Sequence, residues 1–319
     1  MRRTLFCELF DLDVPILQAA IWPATSPELV AAVSNAGALG TVAGIFSSAD
    51  ALRAQIERVR ELSDRPFVVN HVVSSLDEDA FQATLDARPA AVSFALGDPG
   101  GLVERAHAAG AKAIQQVHTV SQAREAAALG VDVVIAQGSE AGGQGMAGGV
   151  GTMALVPQVV DAVAPIPVLA AGGVADGRGL AAALVLGAAG ANVGTRFLAS
   201  EEAAADESWK QRILAAESEH TVRFETWGAI VPPPGPGAYD VVPRVIRTDF
   251  VAEWETRPTE AAAESERLLG EIMAAVREGR AHELLPFTGQ TAGLIDDVRP
   301  AAKIVEELVA GAEQAIELA

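Results

Sequence analysis

Cysteine is nearly absent from this 319-residue chain: Cys7 stands alone, so no intrachain disulfide can form. A single thiol suits a reducing cytoplasm, where the protein is expected to reside. Cations are scarce as well, with 23 Lys and Arg against 42 Asp and Glu, a formal net charge of −19. That balance repels nucleic acid and anionic membranes, and its expected role is solubility. Long apolar runs are missing too. Leu180–Leu186 is far too short to span a bilayer. The opening stretch MRRTLFCELFDLDVP is interrupted by Glu8, Asp11 and Asp13 and has no apolar core of signal-peptide length, so no export signal is expected. Half of the residues are nonetheless hydrophobic, enough for one large buried core.

Against these absences stands a glycine pattern. Pro167–Phe197, PVLAAGGVADGRGLAAALVLGAAGANVGTRF, reads as strand, glycine turn, helix, strand, glycine turn. The apolar runs Val168–Ala171 and Ala191–Val193 end in Gly172-Gly173 and Gly194-Thr195. Glycine at such a turn lets backbone N–H groups approach a phosphate closely. Two such ends in consecutive βα units match the phosphate site after strands 7 and 8 of a (β/α)8 barrel.

The rest of the chain repeats the unit. An Ala-rich helix, a Gly cap and a β-branched run recur in AAVSNAGALGTV, ERAHAAGAKAIQQV, AREAAALGVDVVI and AAALVLGAAGANVG. Gly37, Gly110, Gly130 and Gly187 occupy the left-handed cap position. Eight strands are predicted at Pro15–Ile21, Leu39–Ala43, Phe67–Val72, Ala91–Leu96, Lys112–Val117, Val133–Gln137, Pro167–Ala171 and Ala191–Phe197. Their alternation with helices predicts an α/β fold, a (β/α)8 TIM barrel. The rhythm then stops. Residues 200–286 read as a helical and loop insertion after strand 8, placed to fold over the catalytic face as a lid. It carries the Pro/Gly loop Val231–Tyr239 and a charged helix around Ala261–Glu278. Residues 1–199 and 287–319 form the barrel, with Pro300–Leu318 as its closing helix.

Chemistry is expected at the C-terminal ends of the strands. Candidates there are Ala20, Ile21 and Trp22 after strand 1, Asn70 and His71 after strand 3, and Gln116 and His118 after strand 5. Asn70 and Gln116 are amides that can donate and accept along the edge of a flat heterocycle, or can simply form a polar rim. Alternation puts His71 on the side opposite Asn70, and His118 on the side of Gln116. The exit of strand 6, QGSEAGGQGMAGGVG, contains a literal GxGxxG at Gly143–Gly148. It follows the sixth strand of an array and lacks the acidic residue about 20 positions on, so it does not mark a dinucleotide fold. A backbone platform against a ring or phosphate, or a mobile loop, are the readings left for it.

Together these residues resemble the FMN-dependent nitronate monooxygenase family, which includes a flavin-dependent enoyl-ACP reductase branch. The resemblance rests on PILQAAIWPATSPELVAAVSNAGALGTV, FVVN, GVDVVIAQGSEAGGQG, the stretch from Pro167, RVIR and GQTAGL. It implies FMN as cofactor, with its phosphate on Gly172, Gly173, Gly194 and Thr195. The ring would then lie near Ala20, Ile21, Asn70, Gln116, Ala141 and Gly142, with Gln290 on the closing segment.

The chain departs from the family at its catalytic position, where EAGGH is usual and Gln144 stands here. An amide cannot take a proton as imidazole does, yet it can donate to a nitro, carbonyl or carboxylate oxygen. Gln144 and His118 are therefore the catalytic candidates, with Trp22 and Tyr239, the only tyrosine, as substrate contacts. The resemblance implies oxidation of alkyl nitronates with O2 to a carbonyl compound and nitrite. The oligomeric state stays open between monomer and homodimer, the Ala-rich barrel exterior permitting a dimer. An NAD(P)H-dependent reductase of enoyl thioesters or quinones is the alternative, and a flavin carrier without redox activity a third.

Overall fold

The computed structural model describes residues 3–231 and 240–318. Its strands are β1 (Ile16–Gln18), β2 (Gly40–Ala43), β3 (Phe67–Val72), β4 (Ala91–Ala95), β5 (Lys112–Val117), β6 (Val133–Gln137), β7 (Gly143–Met146), β8 (Val168–Ala171), β9 (Gly190–Val193), β10 (Thr221–Arg223) and β11 (Val241–Ile246). Eight of them form one parallel sheet in the order β1-β9-β8-β6-β5-β4-β3-β2. A bridge between Leu17 and Leu39 closes the ring. There the Leu39 amide donates to Ile16 O and the Gln18 amide to Leu39 O, both at 2.9 Å. The fold is the expected TIM barrel.

Sequence explains why the barrel forms. β2, β4, β6, β8 and β9 are buried along their whole length, as apolar runs covered on both faces must be. The four cap glycines have φ between +80° and +92°, so each helix stops where a side chain would be strained. Leu17, Leu39, Val68, Ile114, Val133 and Leu169 pack inside the barrel against Phe6, Phe10 and Leu12, so helix Leu5–Phe10 plugs its N-terminal end. Helix Ala301–Leu318 lies against Gly177, where a Cβ would come within 2.3 Å of the Ala312 amide. No helix among the described residues is long and apolar enough to cross a membrane.

The structure differs from the sequence reading at three places. The first strand is shorter than Pro15–Ile21, because Ile21 leaves the ladder for a turn with Thr25. Its amide donates to the Thr25 hydroxyl oxygen at 2.8 Å, and Thr25 N donates back to Ile21 O at 2.7 Å. The last strand ends at Val193, and Gly194 O accepts from Phe197 N at 2.8 Å to start a short helix, Thr195–Leu198. The insertion is not only helix and loop. It contributes β10 and β11, which pair antiparallel with each other, and β11 also pairs antiparallel with β7 from the strand-6 exit. Its charged helix is also divided, into Pro258–Ala263 and Ser265–Arg277.

Candidate active site

At the C-terminal ends of the barrel strands the chain encloses a cavity of about 530 Å³. Its barrel wall includes the expected Ala20, Ile21, Trp22, Asn70, Gln116, Ala141, Gly142, Gln144, Gly172, Gly173, Gly194 and Thr195. These residues come from six different strand ends and meet only because the ring closes. Above them, the insertion supplies apolar side chains including Trp227, Leu269, Ile272, Met273 and Leu284.

The two glycine turns have the form a phosphate needs. Gly172 and Gly173 both adopt positive φ, +91° and +80°. A Cβ on Gly172 would come within 2.8 Å of the Ala141 amide, so the turn and the strand-6 exit touch backbone to backbone. At Gly194 a Cβ would meet only Ala19 and Ile21, at 3.6 and 3.8 Å, and its absence leaves that stretch of backbone open. The Thr195 hydroxyl accepts the Gly289 amide at 3.0 Å, which keeps the hydroxyl proton for a ligand. Bare backbone, one hydroxyl and nearby amide side chains form a donor set that suits a phosphorylated heterocycle.

The amides on the barrel floor are placed by neighbouring strands. Asn70 Nδ2 donates to Ser93 O and Oγ, both at 3.3 Å, so its donor end is held by the neighbouring strand. His71 points away, as alternation predicts. It is 2% exposed, its Nε2 lies 2.8 Å from Thr84 Oγ1, and burial holds its pKa down at about 4.

His118 is a correction to the expected site. β5 ends at Val117, so strand alternation no longer governs the next residue, and His118 does not line the cavity. It lies behind the strand-6 exit, in a small crevice with Met146, Arg223 and Arg244. Neither ring nitrogen has a partner, and burial with Arg223 nearby lowers its pKa to about 4. Gln290 is also off the wall, although its neighbours Gly289 and Thr291 line it. The Gln290 amide donates to Glu140 O at 2.9 Å, so it holds the closing segment by its backbone. Tyr239 lies outside the described residues.

Sequence reasoning passed over the residues that fix the strand-6 exit. Glu140 lines the cavity, and its carboxylate accepts from Thr152 N at 3.0 and 2.8 Å and from Thr152 Oγ1 at 2.9 Å. It thereby caps helix Thr152–Val163, whose own N-cap, Gly151, has no side chain. Gln137 Nε2 donates to Gln144 O at 3.0 Å. Buried Arg244, on β11, donates to Ser139 O through Nε and Nη2 at 3.1 and 3.0 Å, and to Thr221 O at 2.8 Å. Burial pulls the Arg244 pKa down, and neighbouring Arg223 adds to that pull. The exit is therefore a braced platform with Gln144 paired to Pro243 in β7. The signal was present in the quoted stretches, since Gln137 and Glu140 lie in GVDVVIAQGSEAGGQG and Arg244 opens RVIR, but nothing there told that they brace the exit.

Among the described residues that line the cavity, the acidic groups are Glu140 and Asp240, and none is Lys, Arg or His. The reaction space is thus furnished with amides rather than with an imidazole.

Comparisons with known proteins agree with this architecture. The nitronate monooxygenase family model matches residues 3–83 and 77–311. A probable nitronate monooxygenase of Staphylococcus saprophyticus is 37% identical over 67% of this chain and 73% of its own length. An indene-carboxyl-CoA dehydrogenase of Mycobacterium tuberculosis is 40% identical over 69% of this chain, which spans 62% of that relative. The solved structure of FabK from Thermotoga maritima superposes with a TM-score of 0.90 at 35% identity, covering 100% of this chain and 98% of that one. By fold and by sequence, the chain is an oxidoreductase that belongs to the nitronate monooxygenase family.

Proposed function

We propose that the protein is an FMN-dependent nitronate monooxygenase acting on alkyl nitronates that are already ionised. The observation that carries this reading is the amide wall. Gln144 stands where the family has a histidine, and both histidines near the strand ends, His71 and His118, lie outside the cavity. A nitronate has already lost its proton, so its oxidation needs hydrogen-bond donors at the nitro oxygens and no base. Gln116 and Gln144 can be such donors, while the Asn70 amide group already donates to Ser93.

In this reading Gly172, Gly173, Gly194 and Thr195 hold the FMN phosphate. Ala20, Ile21, Asn70, Gln116, Ala141 and Gly142 border the ring, and Gln290 secures the segment that closes over it. Bound flavin supplies the electron transfer from the nitronate, with O2 as co-substrate, and the products are a carbonyl compound and nitrite. The chain orients the nitronate through its amides and excludes water with the apolar residues of the insertion.

The FabK likeness favours a second reading, reduction of an enoyl thioester or quinone by NAD(P)H on the same fold. Anaerobic titration with NADH and then NADPH, followed by the flavin absorbance, separates the two. A spectrum that resists both, with nitrite released from preformed nitronates in air, supports the first reading. Rapid bleaching by either nucleotide overturns it in favour of the second.

A further inference from the structure

The cavity has two storeys of different chemistry. The lower one, at the strand ends, carries the amides and glycine turns. The upper one is apolar and belongs to the insertion on one side and to Trp22 and Phe46 on the other. Phe46 holds a positive φ of +57° and is 68% exposed, with its ring edge-on to Trp22 at 5.0 Å. From the insertion, Leu269 and Met273 of helix Ser265–Arg277 line the same cavity and are 38% and 39% exposed. A large side chain in a left-handed conformation, held in water, is costly and calls for a counterpart in function.

Charge narrows what that counterpart can be. No cation lines the cavity among the described residues. Glu140 and Asp240 add negative charge instead, on a chain with a net charge of −19. Outside the glycine turns, such a wall offers the phosphate groups of a second nucleotide or of coenzyme A no side-chain cation to pair with.

We propose that the upper storey binds the uncharged alkyl or alicyclic part of the substrate, and that Leu269 and Met273, together with Trp22 and Phe46, set the preference for it. This rests on the reading of the lower storey as the flavin site, and deepens it. The substrate is then a compound of several carbons, whose tail is covered on both sides, rather than a two- or three-carbon molecule held by its polar end alone.

The test is a binding series with the FMN-loaded protein and neutral 1-nitroalkanes from nitroethane to 1-nitrooctane. Trp22 and Trp227 line the cavity, so tryptophan fluorescence reports occupancy beside the flavin absorbance. Kd is expected to fall with each added methylene, by up to about fourfold. Leu269→Gln and Met273→Gln, at partly exposed positions where folding is spared, are expected to flatten that gradient. A Kd independent of chain length, or the full gradient retained in both variants, would overturn the proposal. So would tighter binding of butyryl-CoA than of 1-nitrobutane. If FMN fails to bind, the flavin reading falls, while the tryptophan signal still decides whether the tail site exists.

Discussion

Thr195 and Gly289 meet at 3.0 Å, the hydroxyl of the last strand-end turn accepting the amide of the closing segment. They come from opposite ends of the insertion, 94 residues apart, so one hydroxyl ties the second glycine turn to the chain that returns from the insertion. Thr195→Val keeps the shape and removes the hydroxyl. FMN affinity is expected to fall about tenfold, the cost of one hydrogen bond to a charged group, while Thr195→Ser retains most of it. Titration by quenching of flavin fluorescence measures this, and equal affinities for Val and Ser would refute it.

At Gly142 space itself is the constraint. A Cβ there would lie 2.4 Å from the Gly289 amide, backbone against backbone. Gly142→Ala is expected to cost about 1–3 kcal/mol and to lower flavin affinity as the closing segment moves away. Gly270, inside helix Ser265–Arg277, has nothing within 4 Å of its would-be Cβ. Gly270→Ala is expected to stabilise by about 0.5–1 kcal/mol. Urea unfolding of the two variants should move the midpoint in opposite directions.

Removing the Glu140 carboxylate should unpin the platform. Glu140→Ala leaves the Thr152 amide without its acceptor, at an expected loss of about 0.5–2 kcal/mol. Hydrogen exchange at residues 138–151 is the readout, and unchanged protection there would count against a bracing role.

Two buried imidazoles make stability depend on pH. His71 and His118 are held neutral, each with a pKa near 4 against an ordinary 6.5. The unfolded chain therefore binds more protons between those values, and stability rises with pH across that window. The contribution is fully present above about pH 6.5 and is lost as pH falls through 4, up to roughly 3 kcal/mol for each ring. His118→Asn should flatten the dependence of the urea midpoint on pH between 7 and 5. A slope identical to wild type would remove His118 from the account.

Gln144→His would reinstate a titratable group on the cavity wall. Turnover of neutral nitroalkanes is expected to appear, by about 10²–10⁴-fold, with little change on preformed nitronates. Oxygen uptake with each form at pH 7 distinguishes the outcomes.

The barrel was legible in the sequence because its strands are local events: an apolar run after a glycine cap is buried wherever it sits in the ring. The twelve cavity-wall residues followed, since the ends of buried strands converge. β7 was not legible. Gly143–Met146 has no alternation to read, and becomes a strand only because Val241–Met146 and Arg244–Gly143 pair across about a hundred residues of chain. His118 failed for a related reason. Counting by twos is valid within a strand, and β5 stops one residue earlier.

The β7–β11 pairing also redraws what counts as a transferable part. A chimera that exchanged residues 200–286 alone between relatives would carry β11 away and leave β7 as an open edge beside Gln144. The same cut would remove Arg244 and release Ser139 O. Grafting a new specificity onto this barrel therefore requires moving 138–151 with the insertion, two separated stretches inherited as one unit.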